Sequence, residues 1–176
     1  MIRVVVCLAF VAARLTELRF SGKNLRRSNV DGNSSRDLNF VAIRAVHSAA
    51  VFGTLFFGGR VRWPWVVLLL AVQPVRVWIF TTLGRRWNAR GIVADDLEIE
   101  TGGPYRFVRH PNYAVIVVEL AALPLAFGLW WLALVVGVAN GLALRTRIRN
   151  EERALFANPA YRAHFARRAR IIPGVF

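Results

Sequence analysis

Cysteine is almost missing from this chain. Cys7 stands alone, so one chain can form neither a disulfide framework nor a thiolate metal cluster. Histidine is nearly as scarce. His47, His110 and His164 lie far apart without metal-ligand spacing, so no metal site is expected. Acidic residues number 10 against 24 Lys and Arg, and all but one of those bases are Arg, Lys23 being the exception. Also missing are a GxGxxG after a strand, a GxxxxGK[ST] loop, an HExxH helix and a GxSxG elbow. A soluble nucleotide-binding fold has no room here.

What is abundant is apolar. The hydrophobic fraction is 56%, against about 45–50% in an average soluble domain. A net charge of +14 suits nucleic acid or an anionic lipid surface. The long Val/Leu/Ala runs decide for the membrane and against nucleic acid as a partner. The reading is an all-α integral membrane protein of about five transmembrane helices, forming a single domain over 1–176. Three spans occupy 1–83; a polar loop, a hairpin and a tail occupy 84–176.

The first span, Ile2–Phe20, reads either as a secretory signal peptide or as a retained helix. Arg14 and Glu17 stand at i,i+3, where they can pair and extend the helix. Residues 21–38 read as a solvated loop. The second span is Asn39–Phe57, interrupted by Arg44 and His47. The third is Trp63–Leu83, with Trp63 and Trp65 placed as an interfacial belt. The apolar run 113–144 would make a helix of about 48 Å, too long for a hydrocarbon core of about 30 Å. A hairpin broken around Pro124 to Gly128 fits better, with helices near 110–127 and 129–147. A basic tail follows, expected as an amphipathic cytoplasmic helix. With the amino terminus outside, 21–38, 84–112 and 145–176 share one side and nearly all the arginines. The other side receives Arg3, Arg60 and Arg62. The positive-inside rule therefore assigns the three rich segments to the cytoplasm.

Two polar sets adjoin the hairpin at that face. In GGPYRFVRHPNY, Gly102-Gly103-Pro104 makes a turn, and Pro111 suits the first turn of a helix. His110, immediately before it, is fixed in orientation and suited to hydrogen bonding. In RIRNEERAL, Arg147, Glu151 and Leu155 share one helical face, with Glu152 elsewhere. Taken alone, each set also reads as topology anchors or as an exposed helix laced with charge pairs. Within the fourth span, Glu119 is costly unless partnered, and Asn140, Arg44 and Arg76 are candidate partners. Glu119 and Asn140 are also candidate substrate contacts.

GGPYRFVRHPNY, a hydrophobic hairpin, then RIRNEERAL with Tyr161 downstream resembles the isoprenylcysteine carboxyl methyltransferase family, best over about 80–176. RHPNY also occurs in related membrane sterol reductases. RLTELRFSGKN and TLGRRWNARGIV resemble the short bacterial members, some of which methylate alkylresorcinol or alkylpyrone lipids. The resemblance implies S-adenosylmethionine as methyl donor, with S-adenosylhomocysteine as product. Tyr105, His110, Pro111 and Tyr113 would line the cofactor pocket, with Glu151 and Glu152 closing it. Arg109 and Arg147 would lie nearest the acceptor, and Arg109, Arg147 and Glu151 would carry the chemistry. Ala114-Val115 departs from a family pattern that often places Gly shortly after this tyrosine. The expected activity is O-methylation of a lipophilic acceptor, an alkylresorcinol or alkylpyrone before an isoprenylcysteine carboxylate. The rivals are an NADPH-dependent sterol-reductase-like enzyme and a non-enzymatic protein binding anionic lipid.

Overall fold

In the computed structural model, residues 1–27, 38–90 and 99–172 are described. Every regular element among them is helical. Helix α1 covers Ile2–Arg27, α2 Leu38–Phe57, α3 Trp63–Ala71, α4 Gln73–Leu83, α5 Pro111–Leu125, α6 Trp130–Leu155 and α7 Pro159–Phe165. Short 3-10 turns cover Gly84–Arg86 and Gly103–Arg106.

The hairpin forms where the proline and glycine lie. Helix α5 ends at Leu125, and Gly128 takes the left-handed φ of 78° that lets the chain reverse into α6. The turn is pinned to the α2–α3 loop, because the Gly59 amide donates to Phe127 O (2.9 Å) and Arg62 to Ala126 O (2.8 Å). Helix α5 runs through the centre, packing against α2, α3, α4 and α6. Leu120, Ala122 and Leu123 on it are sealed from solvent.

Three helical stretches are long and apolar enough to cross a membrane: Asn39–Phe57, Trp63–Arg86 and Trp130–Leu155. Helix α1 is long enough but carries Arg14, Glu17 and Arg19 within its central turns. Helix α5, at 15 residues, spans only about 22 Å. Exposed Phe52, Val67, Leu70, Val138 and Leu142 give the bundle the apolar exterior that a bilayer accepts. Trp63 and Trp130, also exposed, stand at one end of it.

Two sequence boundaries shift. Helix α1 does not stop at Phe20 but continues to Arg27, and residues 28–37 of the expected loop lie outside the described set. The polar residues 21–24 are helical because they are partnered. Buried Asn24 donates to Trp87 O (2.8 Å) and Gly84 O (3.1 Å), and Ser21 Oγ accepts from the Ala89 amide (2.8 Å). RIRNEERAL, in turn, is the last part of α6 rather than a separate tail helix, and among the described residues of the tail the one helix is the seven-residue α7.

The charged segments gather as the arginine count requires. The end of α1, residues 84–89 and the end of α6 meet through Ser21, Ala89 and Arg147. Arg3, Arg60 and Arg62 belong to the opposite end, with the 126–129 turn.

Candidate functional site

The polar end is built around the loop before α5. Gly103 adopts a φ of 52°, and a Cβ there would collide with the Thr82 side chain, so the turn can press against α4. Glu100 accepts from the Gly102 amide (2.8 Å) and pairs with Arg86, which fixes the entry to the turn. The exit is held by the tail, because the Arg109 amide donates to Ala169 O (2.9 Å) and His110 to Arg170 O (2.8 Å). Arg168 adds a bond to Tyr105 O (2.8 Å).

Pro111 then starts α5 and places His110 and Tyr113 as a stacked pair, centroids 5.3 Å apart. Across from them, α6 presents Arg147, Glu151 and Glu152. Tyr113 Oη donates to Glu151 and accepts from Arg147 Nε at 2.7 Å. Arg147 Nη2 continues to Ala89 O at 2.6 Å. Glu152 gathers Arg109 Nη1 at 2.9 Å, Arg170 Nη2 at 2.9 Å and His110 Nε2 at 3.4 Å. His110 Nδ1 lies 3.7 Å from Glu151, so the imidazole sits between two carboxylates.

Two cavities adjoin this network. The smaller, about 160 Å³, is lined by Tyr105, Arg109, His110, Tyr113, Arg147 and Glu151, together with Arg86, Glu100, Tyr161 and Phe165. The larger, about 470 Å³, lies between α1 and α2 and is mostly apolar. Its wall residues Val4, Leu8, Leu15 and Phe52 are also exposed on the outer surface, so it opens sideways toward the lipid. Trp87, Asn112, Tyr113 and Arg147 line both cavities and form the partition between them.

Burial pushes the Tyr105 phenol above its usual range, and the Glu151 carboxylate adds to the rise. Burial raises Tyr161 as well, partly offset by Arg109. Both rings therefore remain neutral donors at physiological pH.

Most of the expected residues converge. Tyr105, His110, Tyr113, Arg147 and Glu151 share the smaller cavity's wall, while Pro111 and Glu152 act behind it, orienting His110. Arg109 lines only the smaller cavity, because the tail holds its backbone and Glu152 its guanidinium, whereas Arg147 reaches both. Glu119 and Asn140 line neither cavity. Glu119, 1% exposed, is bound by Arg76 (Nε at 3.0 Å), Gln73 (2.9 Å) and Arg14 (3.3 Å). Asn140 is equally buried, and its Oδ1 has no partner among the described residues. Val115, at the departure from the family pattern, is packed in the interior. Sequence reasoning missed Asn112 and Trp87 in the partition. Their motifs were in view, but only the packing reveals that they separate two spaces.

A helical bundle with an apolar exterior, a charged pocket at one end and a mostly apolar cavity behind a shared wall presents a polar and an apolar space side by side. The sequence comparisons make this specific. The isoprenylcysteine carboxyl methyltransferase (ICMT) family model matches residues 65–157, and the chain belongs to that family of membrane methyltransferases. The uncharacterized protein YpbQ of Bacillus subtilis (strain 168) is 36% identical over 88 residues. The match covers 50% of this chain and 52% of that protein, so the chain spans about half the length of this relative.

Proposed function

We propose that the protein transfers a methyl group from S-adenosylmethionine to an oxygen of a lipophilic acceptor. The observation that carries this reading is the partition, where four residues face a charged pocket on one side and an apolar cavity on the other. The smaller cavity suits the donor's chemistry. Arg86 and Arg109 match its carboxylate, Glu100 and Glu151 its ammonium and sulfonium, and Tyr105, Tyr161 and Phe165 its adenine. Arg109 Nε, buried without a partner among the described residues, leaves a donor for it.

When bound, S-adenosylmethionine supplies an electrophilic methyl group. The chain's residues prepare the oxygen. Arg147, at the partition, orients the acceptor oxygen and stabilises negative charge on it. The acceptor proton passes to Tyr113 Oη as the Tyr113 proton passes to Glu151, along the hydrogen bond already present. The acceptor's apolar tail occupies the larger cavity and enters sideways from the bilayer. Resemblance to the short bacterial branch favours an alkylresorcinol or alkylpyrone over an isoprenylcysteine carboxylate. In this reading α1 and α5 complete five membrane passes, and the polar end faces the cytoplasm.

The test is made on the purified protein in detergent and on membranes. S-Adenosylhomocysteine should bind and NADPH should not, and membranes given labelled methyl donor should yield labelled extractable lipid. Binding of NADPH instead overturns the donor. Glu151→Gln, assayed at saturating methyl donor because Glu151 also faces the donor's ammonium and sulfonium, separates the acceptors. It should abolish methylation of a phenolic acceptor, whereas an already ionised carboxylate acceptor would not need the base.

A further inference from the structure

The family match begins at residue 65, so α1 lies outside it. The last turn of α1 nevertheless reaches the partition. Ser21 and Asn24, spaced i,i+3 on one face, are each 3% exposed, whereas Lys23, Arg26 and Arg27 around them face outward. A buried hydroxyl and a buried amide are costly unless each finds a partner. Both find one in residues 84–89.

That segment needs holding. Beyond the 3-10 turn Gly84–Arg86 the backbone belongs to no helix, so its amides and carbonyls lack a regular ladder. Asn24 Nδ2 donates to Trp87 O (2.8 Å) and to Gly84 O (3.1 Å). The Trp87 ring stacks on Phe20 of α1 (centroids 6.0 Å) and lies edge to face with Phe80 of α4 (4.5 Å). Ala89 is gripped at both ends of its backbone. Its amide donates to Ser21 Oγ (2.8 Å), and its carbonyl accepts from Arg147 Nη2 (2.6 Å). Arg147 is therefore held at two points, Nε by Tyr113 and Glu151, and Nη2 by Ala89. Its Nη1 has no partner among the described residues.

We infer that Ser21 and Asn24 are positioning residues for methyl transfer. From α1 they fix Trp87 and Ala89, and through Ala89 they set the direction in which Arg147 presents Nη1 to the acceptor oxygen. A guanidinium is a rigid planar fork, so one hold at Nε leaves it free to pivot and a second at Nη2 stops the pivot. Neither Ser21 nor Asn24 lines a cavity, so both act only through the residues they hold. This inference rests on the methyl-transfer reading for what Arg147 faces, but not for what holds Arg147.

The test is a double-mutant cycle between Ser21→Ala and Arg147→Lys. It is measured as kcat/KM for labelled S-adenosylmethionine, with membrane lipid as the acceptor. Alanine favours a helix more than serine does, so α1 itself is not weakened. Ser21→Ala alone should lower kcat/KM roughly fivefold, the worth of about one hydrogen bond, and Ser21→Thr, which keeps the hydroxyl, should restore most of it. In Arg147→Lys the two-point hold is already gone, and Ser21→Ala should cost less than about twofold more. Asn24→Asp, which sets a carboxylate against two carbonyls, should show the same dependence on Arg147, and it decides the matter if Ser21→Ala does not accumulate. An equal loss in both backgrounds overturns the proposal, because it marks a role in folding alone. A Ser21→Ala enzyme as active as wild type overturns it too. If wild type labels no lipid, the reading of the reaction fails, and the coupling is judged by the melting temperatures of the same proteins in detergent. Ser21→Ala and Arg147→Lys should then destabilise less together than the sum of their separate effects, and additive losses overturn the proposal.

Discussion

Arg147→Lys keeps the charge and removes the geometry, which makes it the sharpest perturbation of the partition. The guanidinium spends two different nitrogens on three partners: Nε on Tyr113 Oη (2.7 Å) and Glu151 (3.3 Å), Nη2 on Ala89 O (2.6 Å). A lysine ammonium is one point on a flexible stem and cannot reach both Tyr113 and Ala89 in this arrangement. Losing one or two charge-assisted bonds, at about 1.5–3 kcal/mol each, removes about 3 kcal/mol from the oriented state. At about 1.4 kcal/mol per tenfold, kcat/KM should fall roughly 100-fold. The assay is label transfer from the methyl donor to extracted lipid, at matched protein levels in membranes. If Arg147→Lys retains more than a third of wild-type kcat/KM, the guanidinium geometry is irrelevant. A protein acting through net charge alone, as in the lipid-binding rival, would give that result.

Two further outcomes follow from buried groups away from the partition. Glu119→Gln leaves Arg14 and Arg76 facing Glu17 alone in the interior, at a cost of about 3–5 kcal/mol. Denaturation in detergent should show this loss, and Arg76→Met/Glu119→Met should recover part of it; a loss under 1 kcal/mol refutes the buried network. Tyr105 and Tyr161 bind their protons more tightly folded than unfolded, where a tyrosine titrates near pH 10. Their contribution is complete below about pH 10 and is lost as pH rises above it. Melting temperature should therefore decline above pH 10, and less steeply in Tyr105→Phe and Tyr161→Phe; identical slopes refute the assignment.

What the sequence disclosed was what local pattern determines. Pro124 and Gly128 mark the hairpin, the arginine count sorts the loops to two ends, and GGPYRFVRHPNY and RIRNEERAL announce facing walls. Arg14 and Glu17, spaced for a pair, do pair. The hidden part depended on contacts between distant segments. Residues 21–27 look like loop because they are polar, yet they are helical because Asn24 and Ser21 find partners some 60 positions away. Glu119 had three plausible partners by residue type, and only packing chose Arg76, 43 positions upstream. Arg109 and Arg147 look interchangeable as arginines beside a cofactor. They differ because one is claimed by Glu152 and the tail, and the other spans the partition.

The backbone bonds from Arg109 and His110 to Ala169 and Arg170 also order events in time. The wall that begins α5 is held by residues 60 positions later, so the hairpin reaches the membrane well before its pocket is closed. Until Ala169 and Arg170 are made, the smaller cavity lacks the two backbone bonds that hold its Arg109–His110 wall. None of the residues around the larger cavity lies beyond Arg147, so the apolar space is complete earlier in the chain than the charged one.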